Sequence, residues 1–140
     1  MKNWLTYSFL IFLLISCNES RVKRQLPGEW TLVTHTFLDE FGFTTECPNS
    51  SASLQLGNCK KGDCSYSFSY NYPCEPSLNM SESGNYAIVE KGGKFLFLRL
   101  NIDESIDTIE NNLFLLTSTD LKFDYYVPST KRRHRLIFSR

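Results

Sequence analysis

The chain has 140 residues, enough for one domain with a single core, and its 15 basic and 15 acidic residues leave no formal net charge. This balance excludes the overall basic field of nucleic-acid-binding proteins, so no nucleic-acid partner is expected. The 11 Phe, 7 Tyr and 2 Trp, together with many Ser and Thr, are typical of a strand-rich protein.

An apolar run over residues 5–15 follows Lys2 and closes with Leu14-Ile15-Ser16-Cys17. It is shorter than the roughly 20 residues of a membrane-spanning helix, whereas the basic start and the small residue before Cys17 are typical of a signal peptide. The closing residues resemble the lipobox of bacterial lipoproteins. The resemblance implies that residues 1–16 are removed and that Cys17 carries a lipid with fatty acids such as palmitate. The alternative is an ordinary secretory signal cut nearby.

The resemblance therefore predicts a protein of the cell envelope, anchored to a bacterial membrane through Cys17, with the outer membrane favoured. Residues 17–25 form the predicted tether, in which Arg21, Lys23 and Arg24 suit a spacer near anionic head groups or a plain solvated one. The folded domain is predicted to span residues 26–140.

Four further cysteines fall within one short region, and an even set in an exported protein predicts two disulfides. Residues 51–56 and 65–72 alternate as a hairpin, with a tip between Cys59 and Cys64. If those two cysteines face each other, antiparallel register puts Gly57 opposite Tyr66 and brings Cys74 near Cys47. The predicted pairs are therefore Cys59–Cys64 and Cys47–Cys74; a zinc site is the less favoured alternative.

The rest of the chain reads as strands separated by Gly, Pro, Ser and Asp turns, with loops over 39–47 and 73–83. The prediction is an all-β fold, an up-and-down antiparallel barrel of about eight strands. An immunoglobulin-like β-sandwich is the alternative, less favoured because the cysteines cluster in one hairpin. The remaining predicted strands are 29–38, 85–90, 94–101, 103–110, 111–117, 121–127 and 133–139. A short helical turn is the alternative for 103–110.

Three short stretches resemble bacterial lipocalin-like domains: Gly28-Glu29-Trp30 at the start of the first strand, the strand-turn-strand over 115–123, and the last strand over 135–140. The resemblance implies that Trp30 plugs the closed end of the barrel, with Arg140 or Arg135 over its ring. Unlike longer lipocalins, the chain has no amphipathic helix after its strands.

The resemblance also implies a small hydrophobic ligand inside the barrel, with Phe68, Tyr70, Phe97 and Phe123 as candidate lining residues. The same large rings crowd a narrow interior, which predicts at most a small pocket. The competing hypothesis is a structural or protein-interaction module with a filled barrel and no ligand.

No motif for catalysis, metal binding or a cofactor is present, so we expect no enzyme, no cofactor and no metal. His35 and His134 have no carboxylate or cysteine at ligand spacing in the sequence, and we interpret both as hydrogen-bonded or solvated. The acidic group over 103–110 lacks the glycine-centred loop of a calcium site. The basic run over 131–135 is interpreted as a strand edge kept soluble by charge, or as a contact with anionic lipid.

Overall fold

The computed structural model describes residues 20–89, 93–101, 103–127 and 130–140. Cys17 and its predicted lipidation lie outside these residues. In the described part of the chain, no helical segment is long and apolar enough to cross a membrane.

One antiparallel sheet closes on itself, because the first strand pairs with the last. This closure confirms the predicted all-β barrel and excludes the β-sandwich. A short additional strand, β2, pairs with the second half of β1. The strands of the described residues are β1 Gly28–Leu38, β2 Thr44–Glu46, β3 Ser51–Leu56, β4 Ser65–Asn71, β5 Met80–Ile88, β6 Lys94–Leu100, β7 Ile106–Leu116, β8 Asp120–Val127 and β9 Arg132–Ser139.

Alternation along each strand separates the interior of the barrel from solvent. In β4 the serines and Asn71 are exposed while Tyr66, Phe68 and Tyr70 are buried, as a period of two requires. A β-bulge between Leu32 and Thr34 interrupts this alternation in β1. The interior receives aromatic rings from six strands, β1, β4, β5, β6, β8 and β9.

The two ends of the barrel differ in chemistry. β1 passes Trp30 near one end of the barrel, which we call the Trp30 end. It passes His35 near the other end, which we call the histidine end. Since neighbouring strands alternate in direction, the loops after β1, β4, β6 and β8 all lie at the histidine end. Residues 20–25 are helical and close the Trp30 end, where Val22 and Leu26 are buried in the core. Part of the predicted tether thus packs against the barrel.

Both disulfide predictions are confirmed: Cys47 is bonded to Cys74, and Cys59 to Cys64. The register used to reach them is wrong by one residue, because Tyr66 pairs with Leu56 and not with Gly57. The cause is the tip, where residues 59–61 form a 3₁₀ turn and Gly62 adopts a positive φ of 87°. A wider tip shifts the ladder but still allows both bonds to form.

Three predicted boundaries are also wrong. The loop 39–47 contains β2, and β5 begins at Met80, inside the predicted loop 73–83. The predicted strands 103–110 and 111–117 are one strand, β7, which a β-bulge between Leu113 and Leu115 bends without breaking.

The basic run near the C-terminus does not lie on a free strand edge, because β9 pairs with both β8 and β1. Two of its arginines have specific partners. Arg132 pairs with Glu75 at 2.8 Å, and Arg135 pairs with Asp124 at 2.8 Å. Arg135 therefore lies away from Trp30, and the barrel-end contact is made by Arg140.

The acidic group is not gathered into a cation site. Asp107 pairs with Arg99, and Glu110 pairs with Lys94, each at 2.6 Å. Asp103 instead accepts hydrogen bonds from the backbone N–H and the hydroxyl of Ser105. These carboxylates act as ion-pair and turn residues of β7 and its loop.

Candidate functional site

The Trp30 end is closed by an indole ring and a guanidinium group. Trp30 is 1% exposed, and its Nε1–H donates to the Leu26 carbonyl at 2.9 Å. The Arg140 Cζ atom lies 4.1 Å from the indole centroid. The same guanidinium donates to three backbone carbonyl oxygens, those of Gln25, Pro27 and Ser118. This arrangement fastens Arg140 to the end of the helical segment and holds its guanidinium over the ring.

The middle of the barrel is filled with aromatic rings. The four candidate lining residues, Phe68, Tyr70, Phe97 and Phe123, are all buried. The centroid of the Phe68 ring lies 4.7 Å from that of Tyr70 and 6.1 Å from that of Phe97, which are contact distances for aromatic pairs. The structure thus places all four residues in the packed core.

Three pockets are formed by the described residues. One of about 280 Å³ is lined by residues 33–35 of β1, which include His35, and by residues 46–50, which include Ser50. A second, of about 300 Å³, lies along β3 and β4 and is lined in part by Tyr70; a third, of about 320 Å³, lies between the loops after β1 and β8. Phe68, Phe97 and Phe123 line none of these three.

A chain of four polar side chains, which we call the histidine relay, lies at the opposite end. Ser50 Oγ is 2.8 Å from His35 Nδ1, and His35 Nε2 is 2.8 Å from His134 Nδ1. His134 Nε2 is 3.2 Å from Glu75 Oε2. Both histidines are buried, at 2% and 0% exposure, while Ser50 is half-buried beside the 280 Å³ pocket.

Proton counting assigns a direction to the relay. The Ser50 hydroxyl lies within hydrogen-bond distance of both the Cys47 carbonyl and His35 Nδ1, but it has one proton to donate. If that proton points to Cys47 and both rings are neutral, the chain ends with a bare His134 Nε2 facing the Glu75 carboxylate. Neither of those two atoms has a hydrogen-bond partner among the described residues.

In the opposite direction, Ser50 donates to His35 Nδ1, His35 Nε2–H donates to His134 Nδ1, and His134 Nε2–H faces the Glu75 carboxylate at 3.2 Å. The Cys47 carbonyl, 2.9 Å from Ser50 Oγ, then loses that hydroxyl as a donor. Because an N–H beside a buried carboxylate stabilises more than a hydrogen bond to a neutral carbonyl, we assign this second direction. Arg132 donates to the other carboxylate oxygen of Glu75 at 2.8 Å and holds that group in place.

Burial keeps both rings neutral near pH 7. Removal from water, together with a smaller effect of the neighbouring His134, lowers the pKa of His35 to about 4. Burial, together with a smaller effect of the Arg132 charge, lowers the pKa of His134 to about 4. The Tyr72 ring packs on both imidazoles, with centroids 4.1 Å from His35 and 5.7 Å from His134, and so fixes their planes.

The Cys47–Cys74 disulfide holds the relay together. Cys47 opens the loop that carries Ser50, and Cys74 is adjacent to Glu75, so the bond clamps the two loops side by side. The two sulfur atoms and a ring nitrogen of His35 lie within 4.8 Å of one another. Since a disulfide sulfur is not a thiolate ligand, this group does not hold a metal ion.

A second polar cluster crosses the interior wall at the same end. Glu82 of β5 accepts a hydrogen bond from the Tyr125 hydroxyl at 3.1 Å and pairs with Arg99 at 3.1 Å. Burial raises the pKa of Glu82, and the Arg99 charge opposes that shift. Arg99 also pairs with Asp107, so the cluster links four neighbouring strands, β5 to β8, and sets one guanidinium against two carboxylates.

Sequence reasoning did not single out Ser50 or Glu75, and it treated His35 and His134 separately. The members of the relay come from β1, the loops before β3 and after β4, and β9. No spacing along the chain indicates their proximity.

Comparison with known proteins identifies no relatives. No family model matches the chain, and no curated protein matches it. Among solved structures, a redesigned β-barrel is similar, with 16% sequence identity and a TM-score of 0.49, over 86% of this chain and 95% of that one. The fold described above is drawn from the strand pairing of this chain itself.

Proposed function

We propose that this protein is a lipid-anchored module of the bacterial cell envelope, held to a membrane through Cys17 and acting through its surface. The observation that carries the proposal is the filled interior. The four residues predicted to line a ligand cavity are at most 6% exposed and contact further rings. A barrel packed in this way supports the structural or interaction role over carriage of a hydrophobic ligand.

The placement of the N-terminal segment supports an orientation. Residues 20–25 pack at the Trp30 end, and Cys17 precedes them by three residues, a span of at most about 10 Å for extended chain. A lipid on Cys17 would therefore hold the Trp30 end near the membrane. The loops of the histidine end would then face away from it, where another envelope component can reach them.

Exposed apolar side chains at the histidine end fit this role. Phe41 and Phe43, in the loop after β1, are 79% and 71% exposed. Leu100 and Ile106, which flank the loop after β6, are 66% and 69% exposed. Aromatic residues are enriched in protein interfaces. Phe41 and Phe43 are exposed on a loop of the histidine end and are therefore available to a partner.

Photo-crosslinking in cells tests the interaction role. A photoreactive amino acid at position 41 should give a discrete crosslinked species, whereas the same group at position 61, on the tip loop of the Trp30 end, should not. The Phe43→Ser substitution should weaken the crosslink at position 41 without changing the melting temperature. Equal crosslinking at positions 41 and 61 would contradict the proposed orientation.

A thermal-shift screen tests the hypothesis of ligand carriage. A ligand that binds only the folded state raises the melting temperature, so fatty acids and small hydrophobes should leave the melting temperature of this filled barrel unchanged. A reproducible rise that Phe68→Ala removes, with the domain still folded, would instead establish carriage.

A further inference from the structure

We propose that Ser50 is a nucleophile activated by the histidine relay, and that the adjacent pocket accepts a small ester for acyl transfer to water. This inference goes beyond the interaction role and does not depend on lipid attachment. It stands on four observations: a half-buried serine, a buried imidazole 2.8 Å from its hydroxyl, a carboxylate at the end of the chain, and a pocket at the hydroxyl.

A serine hydroxyl is a weak nucleophile until a neighbouring base accepts its proton. His35 Nδ1 is in hydrogen-bond distance and unprotonated in the assigned direction of the relay. The imidazolium that forms on His35 is stabilised through His134 by the Glu75 carboxylate, so Ser50 and His35 are the catalytic residues. His134 and Glu75 are positioning residues, because they act through His35 and do not touch the substrate.

The proposed ester hydrolysis has two stages, acylation of Ser50 and hydrolysis of the acyl-serine. Ser50 Oγ attacks the ester carbonyl carbon while its proton passes to His35 Nδ1 and the C=O electron pair moves to oxygen. When the intermediate collapses, the bond to the alcohol oxygen breaks and that oxygen takes the proton from His35. Water then attacks the acyl-serine and gives a proton to His35, which returns it to Ser50 Oγ. One ester and one water give one carboxylic acid and one alcohol.

The pocket sets the class of substrate. Its volume of about 280 Å³ is below the roughly 300–1,000 Å³ of sites for drug-sized ligands, which restricts it to short acyl groups. Seven of its eight lining residues carry no formal charge when His35 is neutral, and Glu46 is the exception. A small uncharged ester such as p-nitrophenyl acetate is therefore the appropriate probe, and a long-chain ester should be a poor substrate.

The decisive experiment is covalent labelling of the full-length protein with a small alkyl fluorophosphonate, followed by peptide mapping. The phosphonyl group should attach to Ser50 in the folded protein, and unfolding in guanidinium before the reaction should prevent it. Ser50→Ala should remove the label and the hydrolysis of p-nitrophenyl acetate. Ser53→Ala is the matched control, because Ser53 is an exposed serine on β3, and it should label as the wild type does.

Further variants separate the roles. Removal of a general base typically lowers a rate by about 10²–10⁴-fold, so His35→Gln should reduce labelling by at least about 100-fold. Glu75→Gln should reduce it by a smaller factor, and circular dichroism should show that both variants are folded. The wild-type labelling rate should also fall as acid protonates His35, which faces His134, Tyr72 and, through His134, Glu75 and Arg132.

If a variant does not fold, labelling of the wild-type protein alone still tests the proposal. Absence of label on Ser50 in the folded wild type, or label on Ser50 no faster than on exposed serines, would overturn the proposal. Labelling that is unchanged in a folded His35→Gln variant would overturn it as well.

Discussion

Trp30 and Arg140 provide the sharpest test of how the barrel is closed. Trp30→Ala removes a fully buried indole and leaves a cavity, and such substitutions cost about 3–5 kcal/mol of unfolding free energy. The indole N–H bond to Leu26 is a separate contribution, so Trp30→Phe, which keeps an apolar ring, should cost about 1–3 kcal/mol for the unpaired carbonyl and the smaller volume.

The contact between the two residues can be isolated by a double-mutant cycle. Arg140 lies 4.1 Å from the indole centroid, where a cation–π interaction is worth about 0.5–2 kcal/mol. Arg140→Ala should therefore cost less in a Trp30→Leu background than in the wild type, and the difference is the coupling free energy. Arg140→Lys should retain part of the coupling, because it keeps the charge but loses the planar fork that binds the three carbonyls.

Urea denaturation followed by circular dichroism gives the unfolding free energy of all four proteins in the cycle. Circular dichroism is suitable because, unlike indole fluorescence, it does not need Trp30, which two of the variants lack. Free energies that add within about 0.3 kcal/mol would refute the contact as a source of stability. A loss well below 3 kcal/mol for Trp30→Ala would show that the helical segment over residues 20–25 collapses into the vacated space.

Three other predictions concern the disulfides, acid stability and anchoring. Replacing Cys47 and Cys74 by serine opens a loop of sequence separation 27 and should cost about 3.5 kcal/mol, against about 2 kcal/mol for the Cys59–Cys64 bond of separation 5; urea midpoints would test this order. Because burial lowers the pKa of His35 and His134 below the unfolded value near 6.5, the unfolded state binds more protons, and stability should fall as the pH drops from about 6.5 to 4. Urea titrations should show that His35→Gln has a shallower fall. Cys17→Ala should release the protein from membranes or leave its signal peptide uncut, and unchanged mass and fractionation would count against lipidation.

The fold was predictable from the sequence because its signals are local. Alternation in β4 assigns an aromatic interior face, and turn residues separate the strands at short intervals. The disulfides were predictable for the same reason, since all four cysteines belong to one hairpin and its flanks. The exact register of the hairpin was not predictable. It is set by the 3₁₀ turn at the tip, which depends on the backbone conformation of Gly62, and the sequence shows only that a glycine is present there.

The packed interior was predictable in outline. The large rings on the inward face of β4, with Phe97 and Phe123 from later strands, leave little space in a barrel of eight strands, and the structure adds Phe95, Tyr125 and Phe138. The sequence did not predict which charged residues would form ion pairs. Arg135 was one of two candidates for the indole contact, but its strand register places it opposite Asp124, where the two side chains form an ion pair.

The histidine relay depends on two features that no local pattern encodes. The first is closure of the barrel, which pairs β1 with β9 and brings together residues separated by 99 positions. In that ladder His35 lies opposite Leu136 and His134 lies opposite Phe37, so the two imidazoles are diagonal neighbours on the inner face. A slip of one residue would turn His134 to the outside.

The second feature is the β-bulge between Leu32 and Thr34. Before the bulge, even-numbered Trp30 points inward; after it, odd-numbered His35 does. With regular alternation through residues 32–34, His35 would face solvent on the outer surface and Thr34 would enter the core. Deleting the exposed Val33 should remove the bulge and make the strand regular, with His35 still on the inner face beside His134. The bulge has a direct consequence for chemistry, because it turns an isolated strand histidine into the partner of Ser50 and His134.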